Sequence, residues 1–591
     1  MRLAGYCLGA VTVLMLAFGG AAHAEQSTQA FQDYGLPALR AINDAYVTGE
    51  IDRATALQYR VYYCKSPELL PEKFHMEGGT LKSGTPILLQ AYEELEAMGR
   101  GDLAGPLRSR PTGLTMTRTT THFIIHYTTS GGDAVSEAFV DDVEDACETA
   151  WSSYHNDYNW DVVPGDGSAG GGYDMIDCYI HSLGPGLLGM AEPESSVPPN
   201  PPHNDKTGFF HVNSTISSLG DRLATTAHEY MHVVQFGYNS SSVNSWWMEN
   251  CAMMGEEFAY DTINDYRGYL SFFFGPIYEP LYTHNGQYEY GQITWPMYHA
   301  ERFTPDLVRD LWDRLQWAYS FWDICDDAFA PYGYDIDSAY AEFMRWCVYT
   351  NYRDDGNHFE EAGTWNSYFY PDNIYNSYPQ LNQGPDYSKR PDRVSSSFMA
   401  MQPESGSSDN VLQVDFDGPE CTIDVTLFHK HEDEQGHTEY YMTLDANGDG
   451  TIQVPGFDET CDWVVMLVNM SLYCSGAQDY SFDLSTTSGG QSVDEGAAAE
   501  MVRVYPNSPN PVLDRTVLSY ALPRASEVDV KIVDASGRLV RSLYSGDQQP
   551  GTYEMVWNRQ NDSGQEVASG VYYALVRAGG QELTRQMTVL R

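Results

Sequence analysis

Lysine is nearly missing from this chain: it occurs seven times in 591 residues. Lysine and arginine together number 33 against 82 aspartates and glutamates, a formal net charge of −49. Such a balance excludes nucleic acids and anionic membrane surfaces as partners, since both are polyanions. It suits a saline medium, and it could also hold calcium or simply keep the protein dissolved. Long apolar runs are equally scarce. One fills Leu3 to Gly20, behind Arg2 and ahead of Ala22-His23-Ala24, which is the pattern of a signal peptide with an A-x-A cleavage site. Cys7 lies too early, and Ala4-Gly5-Tyr6 is too poor a lipobox, for a lipoprotein. No later run is long enough to cross a bilayer, so the expectation is a secreted or cell-surface protein without a membrane span once the signal is removed. No G-x-S-x-G occurs, which tells against a serine hydrolase. Of ten cysteines, Cys7 falls in the signal and leaves an odd number, some of which an exported chain should pair. Cys421, Cys461 and Cys474 share one β-rich region, and Cys325 and Cys347 share a helical one. Both sets are candidate sources of bridges.

What the chain does have is Ala227-His228-Glu229-Tyr230-Met231-His232-Val233-Val234-Gln235, an H-E-x-x-H motif in a run that reads as helix. Residues four apart lie about 40° from each other around an α-helix, one turn up, so His228 and His232 can reach one metal ion from one face. Glu229 can point at a water on that metal. Leu223, Ala224, Met231, Val234 and Phe236 give the helix apolar flanks, and Gly237 is a stop signal. Beyond the turn-rich Tyr238 to Ser245 comes Trp246-Trp247-Met248-Glu249-Asn250-Cys251-Ala252-Met253-Met254-Gly255-Glu256-Glu257, a second helix. Folded back on the first, it would bring Glu249 to the two histidines. A carboxylate among Trp247, Met248 and Ala252 needs a cation. Two histidines and one carboxylate leave a fourth zinc position for water. Cys251 reads as a small buried hydrophobe beside that ligand.

H-E-x-x-H followed by a helix of the form W-x-x-E-x-x-A resembles the gluzincin metallopeptidases. The fuller string from Ala227 to Gln235 and Trp246 to Glu257 looks like a group of secreted bacterial metalloproteases related to those of myxobacteria. The resemblance implies one catalytic Zn²⁺ on His228, His232 and Glu249, with Glu229 as general base. It also implies a protein or peptide as substrate. One position departs from it: where thermolysin-like members carry an Asp four residues after the ligand Glu, this chain has Met253. Gln235, Glu256 and Glu257 are the candidates to orient the histidines instead. In related gluzincins a tyrosine on a later helix steadies the oxyanion. Within Tyr288 to His299 the first choice is Tyr290, then Tyr288, then His299, against aromatic core for any of them.

The remaining chain is read as multidomain α+β. Residues 25–112 show helical spacing at Tyr34 to Thr48, Asp52 to Tyr63 and Pro86 to Met98, and end in Arg108-Ser-Arg110-Pro111-Thr-Gly113, an exposed linker. That segment is a propeptide or an attached N-terminal cap, and Cys64 in it packs rather than ligates. The zinc metallopeptidase domain spans 113–385. It should carry strands at Thr119 to Thr128, Tyr173 to Ser182 and Phe209 to Asn213, a helix at Asp133 to Tyr154, and a loop from Glu192 to Gly208. Helices at Pro305 to Gln316 and Asp335 to Tyr349 complete it. His122, His126 and His211 are ordinary strand histidines. Residues 394–487 alternate as a β-sandwich. There Asp445-Ala-Asn447-Gly-Asp449-Gly450 mimics half a calcium loop, but Gly456 stands where a Glu is required, so a hairpin turn is expected and Ca²⁺ is weakly supported. Residues 488–500 are a Gly/Ser/Ala linker.

Residues 501–591 resemble the immunoglobulin-like C-terminal domain of flagellar hook-cap proteins and of secretion-sorting tails. The pieces that carry this are Val504-Tyr505-Pro506-Asn507, Ser519 to Pro523, Ile532 to Val540, Gly551 to Trp557 and Ala568 to Tyr573. The resemblance implies contact with secretion machinery or a cell-surface component. The function expected is that of a secreted zinc endopeptidase. The competing reading is a non-catalytic surface or adhesion protein with a structural or vestigial zinc site.

Overall fold

The computed structural model describes residues 31–165, 167, 175–196, 205–431, 437–488, 503–504, 512 and most of 515–589. The expected signal peptide, the linker from 489 to 500 and residues 505–511 lie outside the described residues. The chain divides into two compact units. The first runs to Ile263 and takes in His284–Gln287; the second comprises Asn264–Thr283 and everything from Tyr288. The expected boundary at 112/113 therefore falls inside the first unit, and the expected 113–385 span divides at Asn264.

The first unit opens with helices α1 (Pro37–Val47) and α2 (Arg53–Lys65), the short strand β1 (Leu81–Ser83) and helix α3 (Thr85–Ala97), close to the expected helical spans. Asp52 caps α2 by accepting from the Thr55 N–H. Then come β2 (Met116–Thr119), β3 (Phe123–Tyr127), α4 (Glu137–Ser152), β4 (Ile176–His181), β5 (Leu187–Ser196) and β6 (Lys206–Asn213). The six strands form one sheet in the order β1-β5-β6-β4-β3-β2. Strands β3, β4 and β6 run parallel, and β5 runs antiparallel to β6. At the edge, β1 pairs parallel with β5, Leu81 opposite Leu187 and Ser83 opposite Gly189. The sequence predicts a loop from Glu192, yet β5 continues to Ser196. Pro193 donates no amide, and it is accommodated where the register with β6 shifts, between Pro193 and Ser196. The expected linker is also less exposed than its composition suggests. The Arg110 guanidinium pairs with Asp177 and with Glu194, the latter at 2.7 Å.

Helices α5 (Leu219–Phe236) and α6 (Ser245–Tyr260) follow. Ser218 caps α5 through the Asp221 N–H, and Gly237 ends it. The backbone of β5 passes so close to α5 that a Cβ at Gly189 would meet Glu229 Cγ at 2.6 Å and Thr225 Cγ2 at 2.8 Å. Likewise a Cβ at Gly255 on α6 would lie 3.1 Å from Met231 Cε on α5. Glycine at these two positions is what lets the strand and the two helices meet.

The second unit holds α7 (Tyr288–Gly291), α8 (Thr294–Arg302), α9 (Pro305–Leu315) and α10 (Ile336–Val348), followed by a sandwich of two sheets. One sheet contains β8 (Gln380–Gln383), β10 (Val411–Asp417), β13 (Gly450–Pro455) and β15 (Ser481–Thr487). The other contains β7 (Ile374–Tyr375), β9 (Ser396–Met401), β11 (Thr422–His431), β12 (Thr438–Tyr441) and β14 (Cys461–Met470). Two of these strands precede the expected start at 394. Leu412, Val414, Leu427, Val464, Met466 and Leu484 fill the space between the sheets. The Asp445–Asp449 turn joins β12 to β13 across the two sheets, not as a hairpin within one, and the Asp445 carboxylate accepts the Asn447 and Asp449 amides. Cys421 and Cys474 form a disulfide, whereas Cys325, Cys347 and Cys461 are buried thiols. Among the described residues of the C-terminal domain there are seven further strands: a three-stranded sheet, β16 (Arg503–Val504), β17 (Thr516–Leu522) and β20 (Gly551–Trp557), and a four-stranded one, β18 (Ser526–Asp534), β19 (Leu539–Gln548), β21 (Gly570–Ala578) and β22 (Gln581–Val589). The whole is a mixed α/β chain with several sheets.

Candidate metal centre

His228 and His232 project from one face of α5, and Glu249 projects from the first turns of α6. Glu249 Oε2 stands 3.1 Å from His228 Nε2, and Oε1 stands 3.1 Å from His232 Nε2. Among the described residues this is the one group of three His, Cys, Asp or Glu side chains whose ligand atoms converge, all within 4.8 Å of one another. The four side chains His228, Glu229, His232 and Glu249 are each 0 % exposed.

The other ring nitrogens are already committed. His228 Nδ1 faces Glu256 Oε1 at 2.7 Å, and His232 Nδ1 faces Gln235 Oε1 at 2.8 Å. Gln235 donates its amide to the Met248 carbonyl at 3.0 Å, which fixes its oxygen toward the ring. Both Nδ1 atoms therefore carry the proton, and both Nε2 atoms are left to face the Glu249 carboxylate. Lone pairs against a carboxylate repel unless positive charge lies between them. His232 Nε2 and Glu249 Oε1 make no aligned hydrogen bond despite their separation. That charge can be a proton: burial alone would lower the His228 pKa, but its hydrogen bonds to Glu249 and Glu256 outweigh burial and raise it to about 9, so a second proton on Nε2 would serve as the cation. Burial would raise Glu249, yet the two imidazoles hold it far below the usual carboxylate range. The cluster calls for cationic charge at its centre, and a nitrogen–nitrogen–oxygen set with two oriented imidazoles fits a divalent zinc ion.

Glu229 is the next residue on α5. Its Oε2 lies 3.2 Å from both Ser83 Oγ and Thr85 Oγ1, while Oε1 takes no hydrogen bond. Burial is the main cause that pushes its carboxyl up to about 7. That value suits a group that must take a proton and give it back near neutral pH.

Of the candidates for orienting the histidines, Glu256 and Gln235 do so; Glu257 lies one position on and points about 100° away around the helix. Glu256 is seven residues from Glu249, two turns along α6, and so fills the part that Met253 cannot. Ser83 and Thr85 carry no local signal, being held to Glu229 across more than 140 residues. Tyr290 belongs to the second unit, buried on α7 with its ring 5.2 Å from that of Tyr269. Tyr288 donates its hydroxyl to the Glu279 carbonyl at 2.9 Å, and His299 packs 4.1 Å from the Trp295 ring. The strand histidines have other partners: His122 has Glu148, His126 has Asp177, and His211 has Glu192 and His181. Burial pushes the Cys64 thiol up to about 12, which keeps it protonated.

The model of the FlgD Ig-like domain family matches residues 514–582, so the last domain is an Ig-like domain of that kind. No curated protein matches the chain. Among solved structures the chain is similar to PorZ, a bacterial surface component of the type-IX secretion system of Porphyromonas gingivalis. That match is 26% identical, with a TM-score of 0.12, over 19% of this chain and 14% of PorZ. It is also similar to dimeric latent PorU from the same organism, 18% identical with a TM-score of 0.15, over 36% of this chain and 20% of that one. A third match, the Faecalibacterium prausnitzii β-glucuronidase, is 9% identical with a TM-score of 0.13, over 33% of this chain and 36% of the enzyme. The chain thus spans well under half the length of each.

Proposed function

We propose that the first unit is a zinc-dependent peptidase and that the protein is exported, with the FlgD-type domain serving its sorting or surface display. The observation that carries the reading is the His228–His232–Glu249 convergence with the unbonded Glu229 Oε1 beside it. Zinc bound by these three residues would supply Lewis acidity, lowering the pKa of a water toward about 7 and polarising a peptide carbonyl. Glu256 and Gln235 hold the two imidazoles in the ligating tautomer. Glu229 takes the proton of the attacking water and hands it to the leaving amine. The net charge of −49 weighs against acidic substrates. No described helix is long and apolar enough to cross a membrane.

A second reading, a surface protein with a structural metal, draws support from the complete burial of all four side chains. Elemental analysis of wild type beside Glu249→Ala tests the metal: about one zinc per chain, lost or weakened in the variant, is the expected result. Glu229→Gln then separates the two readings. A peptidase keeps its zinc and loses on the order of 10²–10⁴ in turnover of a denatured protein substrate. Wild-type protein that binds zinc and cleaves nothing leaves the structural reading standing.

A further inference from the structure

The N-terminal segment reaches the centre itself. Strand β1 is held on the sheet edge by the Leu81 N–H donating to the Gly186 carbonyl and the Gly84 N–H donating to the Gly189 carbonyl, each at 2.9 Å. That register delivers three buried side chains to the backs of α5 and α6. Lys82 Nζ lies 2.8 Å from Glu256 Oε2, an ion pair rather than an aligned hydrogen bond. Glu256 turns its other oxygen to His228 Nδ1. Thr85 Oγ1 accepts the Ala191 N–H at 2.8 Å, which leaves its one proton for Glu229 Oε2. Ser83 Oγ sits 2.9 Å from Thr85 Oγ1 and 3.2 Å from Glu229 Oε2.

We propose that Lys82, Ser83 and Thr85 are positioning residues of this centre, and that the segment carrying them is a working part of the mature protein and not a propeptide to be discarded. Lys82 neutralises Glu256, so that Glu256 can hold the His228 proton without being an uncompensated buried anion. The two hydroxyls fasten Glu229 Oε2 and so present Oε1 as the proton acceptor. Loss of the segment would strip the cation from two buried carboxylates, because Lys65 at the end of α2 pairs with Glu192 of β5 at 2.5 Å. A releasable inhibitory strap would leave the site complete behind it; this one leaves it incomplete.

The inference rests on the metal reading above, and the test keeps the two apart. Zinc affinity is measured on the full chain by competition with a chelator. Lys82→Met should bind zinc 10–100-fold more weakly, by analogy with other outer partners of metal ligands, and Lys82→Arg should recover most of the loss. Ser83→Ala should keep its zinc affinity and KM while kcat falls at least tenfold. Ser83→Ala removes a single oxygen and carries the decision by itself if Lys82→Met does not fold. Wild-type affinity in Lys82→Met, or higher activity than wild type in any variant, overturns the inference and makes the segment a strap. Wild-type protein that binds no zinc overturns the metal reading, and this inference with it.

Discussion

Replacing Gly189 by alanine tests how tightly β5 and α5 fix Glu229, the proposed general base. The new methyl carbon would stand 2.6 Å from Glu229 Cγ, 2.8 Å from Glu229 Oε1 and 2.8 Å from Thr225 Cγ2. Ordinary carbon–carbon contact is about 3.5–4.0 Å, so something must move by about 1 Å. The backbone of β5 is hydrogen-bonded on both sides, to β1 and to β6. The strand therefore cannot simply retreat, and the Glu229 side chain gives way. Overpacking of this kind costs about 1–3 kcal/mol. At about 2–4 °C per kcal/mol for a unit of this size, Tm should fall by about 2–12 °C. A 1 Å displacement of a reacting group costs about 10²-fold in rate. None of the three proposed ligands is touched, so zinc content should be unchanged while kcat drops. Thr225→Ser removes one of the three clashes and should return part of the stability in the double variant. A Gly189→Ala protein with wild-type Tm and wild-type kcat would refute the close approach on which this reasoning stands.

Two further outcomes follow from the buried polar network beneath β5. Lys65→Met leaves the Glu192 carboxylate without its cation, and breaking one side of such a pair costs about 3–5 kcal/mol. Thermal unfolding should shift down by about 6–20 °C, and a shift under about 2 °C would refute the pairing. Acid should act on the same network. Burial, more than its neighbours, lowers the His181 pKa to about 3, so folding keeps this imidazole neutral while the unfolded chain protonates near 6.5. The unfolded state then binds more protons between those values, and stability falls as pH drops below about 6.5, by up to about 1.4 kcal/mol per pH unit. Glu192, held at about 2 against burial chiefly by Lys65, adds a loss in the same direction below about pH 4.5. Tm measured from pH 7 to 5 should decline in wild type and decline less in His181→Gln. Because Glu229, raised to about 7, gains stability over the same range, the difference between the two proteins is what decides, and identical profiles in wild type and His181→Gln would refute the assignment.

Much of the centre was legible in the sequence because helical spacing is local. Four residues separate His228 from His232, and a second amphipathic run announces Glu249. Glu256 was one of three unranked candidates to orient the histidines, and only the folded contacts single out Glu256 and Gln235 over Glu257. What the sequence concealed is long-range. Strand β1 is three residues in a glycine-rich stretch, too short to show alternation, and Lys82, Ser83 and Thr85 acquire meaning only through pairing with β5. That strand was itself hidden, because Pro193 within it read as part of a loop starting at Glu192. For disulfides the sequence left two sets open, Cys421, Cys461 and Cys474 in the sandwich and Cys325 with Cys347 among the helices, and only geometry picks Cys421 with Cys474.

The rarity of lysine gives the buried ones a practical use. Among the described lysines of the first unit, Lys73 is exposed and Lys206 half-buried, while Lys82 and the Lys65 ammonium are shut away against carboxylates. An acylating reagent applied to the native protein should therefore mark very few amines there. A tryptic map that finds Lys82 newly modified would report that the edge strand has come away, with no substrate and no assay of turnover required.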